Sequence, residues 1–172
     1  HLRIAELMAE IGFPEGVINV VPGYGREAGA ALAEHTGIDH MSFTGSTVTG
    51  ANVGAAAAKN HIPTTMELGG KSPQVVFADA DLDAALPVLA NAIIQNAGQT
   101  CSAGSRLLVE QSRYEEVIEK LGARFGNLRV GSSQQDFDCG PLIRGGQLDR
   151  VLGFLKLAAD ANVKVAGKGT VD

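Results

Sequence analysis

The segment HMSFTGSTVTG, residues 40–50, changes from a strand pattern to a helix pattern within a few residues and so indicates the fold class. Residues 40–44 predict a strand that stops at Gly45. Ser46 is then a suitable N-cap for a helix through Val53 to Lys59, since its hydroxyl can accept a hydrogen bond from the first helical turn. A strand that leads directly into a helix is the unit from which parallel sheets are built.

The segments on either side continue this alternation. Upstream, an apolar helix ends at Gly12 and Pro14, residues 17–21 predict a β-branched strand, and residues 27–34 predict an alanine-rich helix. Downstream, residues 64–68 predict the next strand. The apolar face of the first helix consists of Leu2, Ile4, Leu7, Met8 and Ile11. This order implies a parallel sheet, which binds ligands at the carboxyl ends of its strands.

A second group of elements follows residue 72. Residues 73–77 and 106–109 predict two strands, and residues 82–96 between them predict a long apolar helix. Ser112 is a candidate N-cap for a helix over residues 114–125. The remaining predicted elements are a polar loop over residues 131–140, a helix over residues 147–161 and a strand over residues 164–166. The sequence therefore predicts an α/β protein.

The composition excludes several classes of partner. The formal net charge of −5 argues against nucleic acid or an anionic membrane surface as the main partner, because both attract basic patches. No apolar run is long enough to cross a bilayer. The two cysteines and four histidines form no ligand spacing, so we predict no metal site and a reducing, cytoplasmic location.

Cys101 and Glu67 are the candidate catalytic residues. Cys101 lies between small residues at the end of the long apolar helix, where an electrophile could reach a thiolate. A buried structural thiol is the alternative. Glu67 ends a short strand before two glycines and could act as a general base, and the alternative is a solvated strand-end carboxylate. Cys139, in a Gly-Pro loop, is expected to be structural or incidental.

The helix start at Gly45 and Ser46 is a candidate phosphate site. Free backbone N–H groups and the helix dipole favour an anion at such a position. The sequence there is neither the dinucleotide fingerprint G-x-G-x-x-G nor a P-loop. By itself this motif has low specificity.

Three motifs together resemble the aldehyde dehydrogenase superfamily, with order and spacing preserved. They are FTGST at residues 43–47, MELGGKSP at residues 66–73 and GQTCSAG at residues 98–104. The resemblance implies a partial Rossmann-like parallel sheet that binds the cofactor over residues 1–68, and part of a second α/β catalytic domain over residues 69–172. It also implies a small-molecule aldehyde as substrate and NAD or NADP as cofactor.

The resemblance assigns roles to individual residues. Cys101 would attack the aldehyde to give a thiohemiacetal and, after hydride transfer, a thioester, and Glu67 would activate the water that hydrolyses this thioester. The backbone N–H of Cys101 would be one oxyanion donor. The expected cofactor-binding residues are Gly25 near the adenine, Thr44, Leu68 and Gly69 around the nicotinamide, and Gly45, Ser46, Thr49 and Gly50 around the pyrophosphate.

Family members are longer than this chain, which corresponds to their central portion. The resemblance places an oxyanion-hole asparagine and ribose-binding residues before His1, and further ribose contacts and the subunit-pairing strand after Asp172. Two alternatives therefore stay open, a catalytically silent fragment and a relative that transfers the acyl group to CoA. The family is usually homo-oligomeric, and its subunit-pairing strand has no counterpart within residues 1–172.

Overall fold

In a computed structural model, which describes residues 1–171, helices alternate with parallel strands, as predicted for an α/β protein. The residues group into two compact units, His1–Leu68 and a second from Gly69 onward. None of the helices within residues 1–171 combines the length and hydrophobicity needed to cross a membrane.

The first unit is built around two parallel strands joined by a helix. Its elements are α1 (Leu2–Glu10), a π-helical turn (Gly25–Gly29) that continues into α2 (Ala30–Glu34), β1 (Met41–Gly45), α3 (Thr47–Lys59) and β2 (Thr64–Leu68). β1 pairs with β2 from Met41 beside Thr64 to Gly45 beside Leu68. Its buried apolar residues are Ala33, Ala56, Ala57 and Ile62. Small side chains allow α2 and α3 to approach one another closely.

The second unit contains two further parallel pairs. Its elements are β3 (Pro73–Val76), α4 (Leu82–Ile94), a 3₁₀ turn (Gln95–Gly98), β4 (Arg106–Val109), a 3₁₀ turn (Gln111–Arg113), α5 (Tyr114–Gly126), β5 (Arg129–Val130), α6 (Gly145–Asp160) and β6 (Thr170–Val171). β3 pairs with β4, and β5 with β6. The core consists of Val76, Leu82, Leu86, Leu89, Ala90, Val117 and Leu121. This core packs α4 and α5 against β3.

The predicted strand over residues 17–21 is wrong. This segment pairs with no other strand among residues 1–171. Local bonds form instead, with the Val17 N–H donating to the Pro14 carbonyl at 3.4 Å and Asn19 Nδ2 to the Gly16 carbonyl at 2.9 Å. A β-branched run favours extended backbone, but a strand also needs a neighbour that completes its hydrogen bonds.

Two predictions in the second unit are also wrong. Ser112 does not cap α5, because it lies within the preceding 3₁₀ turn and its hydroxyl donates to Glu110 Oε1 at 3.4 Å. Residues 164–166 form no strand. Their backbone lies against α5 instead, where the Ala166 carbonyl oxygen is 2.8 Å from the position that a Cβ on Gly122 would occupy. The chain forms its strand later, at β6.

Candidate active site

Cys101 lies at the tip of a tight turn in the second unit. The Ala103 N–H donates to the Thr100 carbonyl at 3.2 Å, which makes Cys101 and Ser102 the two central residues of the turn. The Cys101 thiol is free and the residue is exposed, whereas Ala103 is buried. Among the described residues, the Cys101 N–H donates to no backbone carbonyl. The turn therefore presents both a thiol and a free backbone donor.

The chain after this turn is fixed between α4 and β3. The Gly104 N–H donates to the Ala92 carbonyl at 2.9 Å. Gln74 Nε2 donates to the Gly104 carbonyl at 2.9 Å and to the Leu89 carbonyl at 3.3 Å. A Cβ on Gly104 would lie 2.7 Å from the Gln74 side-chain amide and 3.0 Å from Ala92 Cβ, so a larger residue would have to displace the Gln74 amide. These bonds anchor the residue three positions after Cys101.

The chain before the turn adopts a left-handed backbone. Asn96 has φ 52° and ψ 36°, Ala97 has φ 55° and ψ 35°, and Gly98 has φ 73°. For an ordinary residue such as Ala97 this conformation costs roughly 1–2 kcal/mol. Three successive left-handed residues turn the chain sharply at the end of α4 and direct it towards Cys101. The long predicted helix thus ends at Ile94, two residues earlier than its apolar pattern indicates.

Glu67 lies in β2 in the first unit, and its side chain is exposed. The strand register places it directly beside Thr44 of β1, which is also exposed. The alternate residues Phe43, Met66 and Leu68 are half-buried, and Met66 and Leu68 contact α3. The predicted base therefore belongs to the polar face of the strand pair.

The start of α3 has the geometry expected from the sequence. The Ser46 hydroxyl accepts from the Thr49 N–H at 3.2 Å and donates to Thr49 Oγ1 at 2.9 Å, so Ser46 is the N-cap. Thr47 and Val48 begin the helix, and their N–H groups have no carbonyl one turn earlier within it. These donors are available to an anion.

Two of the predicted glycines near this helix start lie close against neighbouring side chains. A Cβ on Gly50 would lie 2.5 Å from Leu68 Cδ2. A Cβ on Gly45 would lie 2.5 Å from Phe43 Cζ. Their role in the structure is to let α3 approach β2 and to make room for the Phe43 ring.

A cleft of about 520 Å³ opens beside the same helix in the first unit. It is lined by Gly25, Arg26, Gly29, Ala30, Leu32, Ala33, Glu34, Met41, Ser42, Phe43, Thr49, Asn52, Val53 and Ala56. Of the predicted cofactor residues, the lining includes Gly25 and Thr49, and it does not include Thr44, Gly45, Ser46, Gly50, Leu68 or Gly69. No sequence motif marks the alanines of this lining, although the small residues of α2 and α3 are a signal that could have identified them.

An open groove of about 490 Å³ in the second unit contains none of the predicted site residues. It is lined by Val88, Asn91, Ala92, Ile94, Gln95 and Asp138. Cys139 is half-buried, with its Sγ 3.8 Å from the Ile94 carbonyl, and its backbone bonds to Arg129 and Gly131. Within residues 1–171, no three His, Cys, Asp or Glu side chains are grouped as a metal site.

Comparison with known proteins gives matches along the whole chain. The aldehyde dehydrogenase family model matches residues 1–172. Retinal dehydrogenase 2 of Mus musculus is 44% identical over an alignment of 172 residues, which covers 98% of this chain and 33% of that protein. An aldehyde dehydrogenase of Emericella nidulans is 43% identical over 170 residues, covering 98% of this chain and 34% of that protein.

Comparison with solved structures also identifies aldehyde dehydrogenases as similar proteins. A crystal structure from Burkholderia cenocepacia, of a protein described as an aldehyde dehydrogenase, is 61% identical with a TM-score of 0.97 and covers 99% of this chain and 36% of that one. The NAD⁺ complex of an aldehyde dehydrogenase from Bacillus cereus is 42% identical with a TM-score of 0.92, and the match covers 96% of this chain and 34% of that one. The chain spans about a third of the length of these relatives. By sequence and by fold, it belongs to the aldehyde dehydrogenase family.

Proposed function

We propose that the protein containing this chain oxidises a small-molecule aldehyde to a carboxylic acid with NAD or NADP, using Cys101 as the nucleophile and Glu67 as the base. The observation that carries this proposal is the exposed, free thiol of Cys101 on a turn anchored at Gly104, in a chain that the family model matches throughout. An inert structural thiol would not be expected at such an exposed tip.

The first unit has features that suit a dinucleotide. Its cleft has the volume of a small-molecule site and a largely apolar lining, which fits an adenine ring. The N–H groups at the start of α3 suit a pyrophosphate. We propose that Gly25, Thr44, Gly45, Ser46, Thr49, Gly50, Leu68 and Gly69 form the cofactor site. Because the Ser46 hydroxyl is engaged with Thr49, Ser46 would contribute through its backbone.

The first chemical step takes place on Cys101. Its thiolate forms a C–S bond to the aldehyde carbon, and the π electrons of the carbonyl move to oxygen, giving a thiohemiacetal. The free Cys101 N–H is a suitable donor to that oxygen. A nicotinamide cofactor held by the residues proposed above would supply the acceptor for the hydride, which leaves this carbon with its electron pair while the electrons on oxygen re-form the carbonyl. The acyl group then remains on sulfur as a thioester.

The second step releases the acid. Glu67 accepts a proton from water while the water oxygen bonds to the thioester carbon. The C–S bond then breaks, and its electron pair returns to the Cys101 sulfur. If CoA rather than water takes the acyl group, the product is an acyl-CoA, which product analysis with and without CoA distinguishes.

We further propose that residues 1–68 form part of the cofactor-binding domain and residues 69–172 part of the catalytic domain of a longer polypeptide. The boundary between the two compact units, after Leu68, supports this division. The two free cysteines support a reducing compartment such as the cytoplasm.

The proposal is tested by reduced-dinucleotide absorbance with a panel of aldehydes. We expect turnover in the complete protein, loss of turnover in Cys101→Ala, and retention in the matched variant Cys139→Ala. A Cys101→Ala protein that turns over at the original rate would show that the nucleophile has been misassigned. Absence of turnover in the unmodified complete protein, with dinucleotide bound, would favour a catalytically silent protein.

A further inference from the structure

The left-handed turn at Asn96, Ala97 and Gly98 is held by both the backbone and the side chain of Gln99. The Gln99 N–H donates to the Asn96 carbonyl at 3.1 Å, and Gln99 Nε2 donates to the same carbonyl at 3.0 Å. In return, Asn96 Nδ2 donates to the Gln99 carbonyl at 3.1 Å. Three hydrogen bonds therefore join these two residues across the turn.

The other end of the Gln99 amide reaches a distant segment. Gln99 Oε1 accepts from the Ile143 N–H at 3.0 Å, so a single side chain connects the turn before Cys101 with the chain that leads into α6. Gln99 is half-buried, whereas Ile143 has a side chain that is 81% exposed. The Ile143 backbone N–H, rather than its side chain, is thus the group that Gln99 uses.

Strained backbone persists only where its surroundings determine it fully, and such strain is common at functional sites. Here the left-handed residues end at Gly98, three positions before Cys101, and the next anchor of the chain is Gly104. Between these anchors, the position of the Cys101 sulfur depends on the direction in which the chain leaves Gln99. A nucleophile needs such positioning because small displacements have large effects on rate.

We propose that Gln99 is a positioning residue for the Cys101 nucleophile. It acts through its side-chain amide, which donates to the Asn96 carbonyl and accepts from the Ile143 N–H. The inference rests on the proposed function of Cys101. Gln99 acts on the orientation of the Cys101 turn and does not itself react.

The first test replaces Gln99 by methionine, which has a similar length but makes neither strong hydrogen bond. In the complete protein we expect Gln99→Met to lower kcat roughly 10- to 100-fold. The KM for the dinucleotide should change by less than about twofold, because the cofactor residues proposed above are elsewhere in the chain. The matched control is Gln111→Met, since Gln111 is exposed and makes no side-chain hydrogen bond among the described residues.

The second test removes the distant partner without changing Gln99. Ile143→Pro deletes the N–H that donates to Gln99 Oε1, whereas Ile143→Ala keeps this N–H and shortens only an exposed side chain. We expect kcat to fall in Ile143→Pro and to be retained in Ile143→Ala. The double variant Gln99→Met with Ile143→Pro should be no slower than Gln99→Met alone, because both remove the same link.

Amide hydrogen exchange separates this proposal from the proposed function. In the absence of aldehyde, the peptide over residues 96–103 should exchange faster in Gln99→Met than in Gln111→Met. Unchanged exchange, or a fully active Gln99→Met protein beside an inactive Cys101→Ala protein, would overturn the role of Gln99 and leave the nucleophile in place. An active Cys101→Ala protein would overturn the proposed function, and the positioning role with it.

Discussion

At the scale of single residues, the candidate site depends on which polar groups are already engaged and which remain free. Cys101 keeps both its thiol and its backbone N–H without a backbone partner among the described residues, whereas the neighbouring Gly104 is hydrogen-bonded on both sides. Ser46 shows the opposite arrangement, because its hydroxyl donates its only proton to Thr49 Oγ1 and accepts from the Thr49 N–H. We therefore propose a chemical role for Cys101 and a structural role for the Ser46 side chain.

Substitution of Ser46 separates its capping role from the proposed pyrophosphate site. Ser46→Ala loses the bond from the Thr49 N–H and should lower the free energy of unfolding by about 1 kcal/mol. Ser46→Asp keeps an N-cap acceptor but adds a negative charge, so stability should be retained while the dissociation constant for NAD or NADP rises by roughly tenfold or more. Urea denaturation and dinucleotide titration measure the two effects. Wild-type affinity in Ser46→Asp would contradict the pyrophosphate assignment.

At the scale of secondary-structure elements, α5 shows how a glycine in a helix can be required by packing. Gly122 faces the backbone of Ala166, whose carbonyl oxygen is 2.8 Å from the position of an added Cβ. Gly126, one turn later, has only an ordinary contact of 3.7 Å with the Lys168 carbonyl. The same element therefore offers a tightly packed glycine and a loosely packed one.

The two glycines give opposite predictions for alanine. Gly122→Ala should lower the free energy of unfolding by about 1–3 kcal/mol, because the backbone at Ala166 must move away. Gly126→Ala should be neutral or stabilising by up to about 1 kcal/mol, because alanine favours the helix and fits the space. Thermal and urea unfolding of the two variants provide the comparison. Equal stability changes would show that residues 164–168 do not pack on α5 as described.

At the scale of the whole molecule, local signals in the sequence predicted most elements. β2 and β4 have the predicted bounds, and α3 begins after its predicted cap at Ser46. Caps and apolar faces act within one or two turns, so the sequence alone reveals them. The strand predicted over residues 17–21 was wrong because pairing depends on a distant partner.

In the functional regions too, local sequence signals reveal some features, whereas others depend on contacts between distant parts of the chain. Motif spacing identified Cys101 and Glu67 as candidates, but the cleft in the first unit results from the packing of α2, α3 and β1, which no motif describes. The role of Gln99 depends on Ile143, 44 residues later in the chain. Contacts of this kind follow from the tertiary structure rather than from a local pattern.

Cys101 and Glu67 are proposed to act in one reaction, and this pairing can be tested by trapping the acyl group on Cys101. Glu67→Gln removes the proposed base for deacylation but leaves the nucleophile, so the complete protein should produce a single burst of reduced dinucleotide when mixed with aldehyde.

The measurement is the mass of the Cys101 peptide after acid quenching of that reaction. We predict an added mass equal to the aldehyde less two hydrogen atoms, as expected for a thioester, and no such mass in the Glu67→Gln, Cys101→Ala double variant. An unmodified Cys101 peptide during continued turnover, or an acyl group found on Cys139, would show that Cys101 does not carry the acyl group.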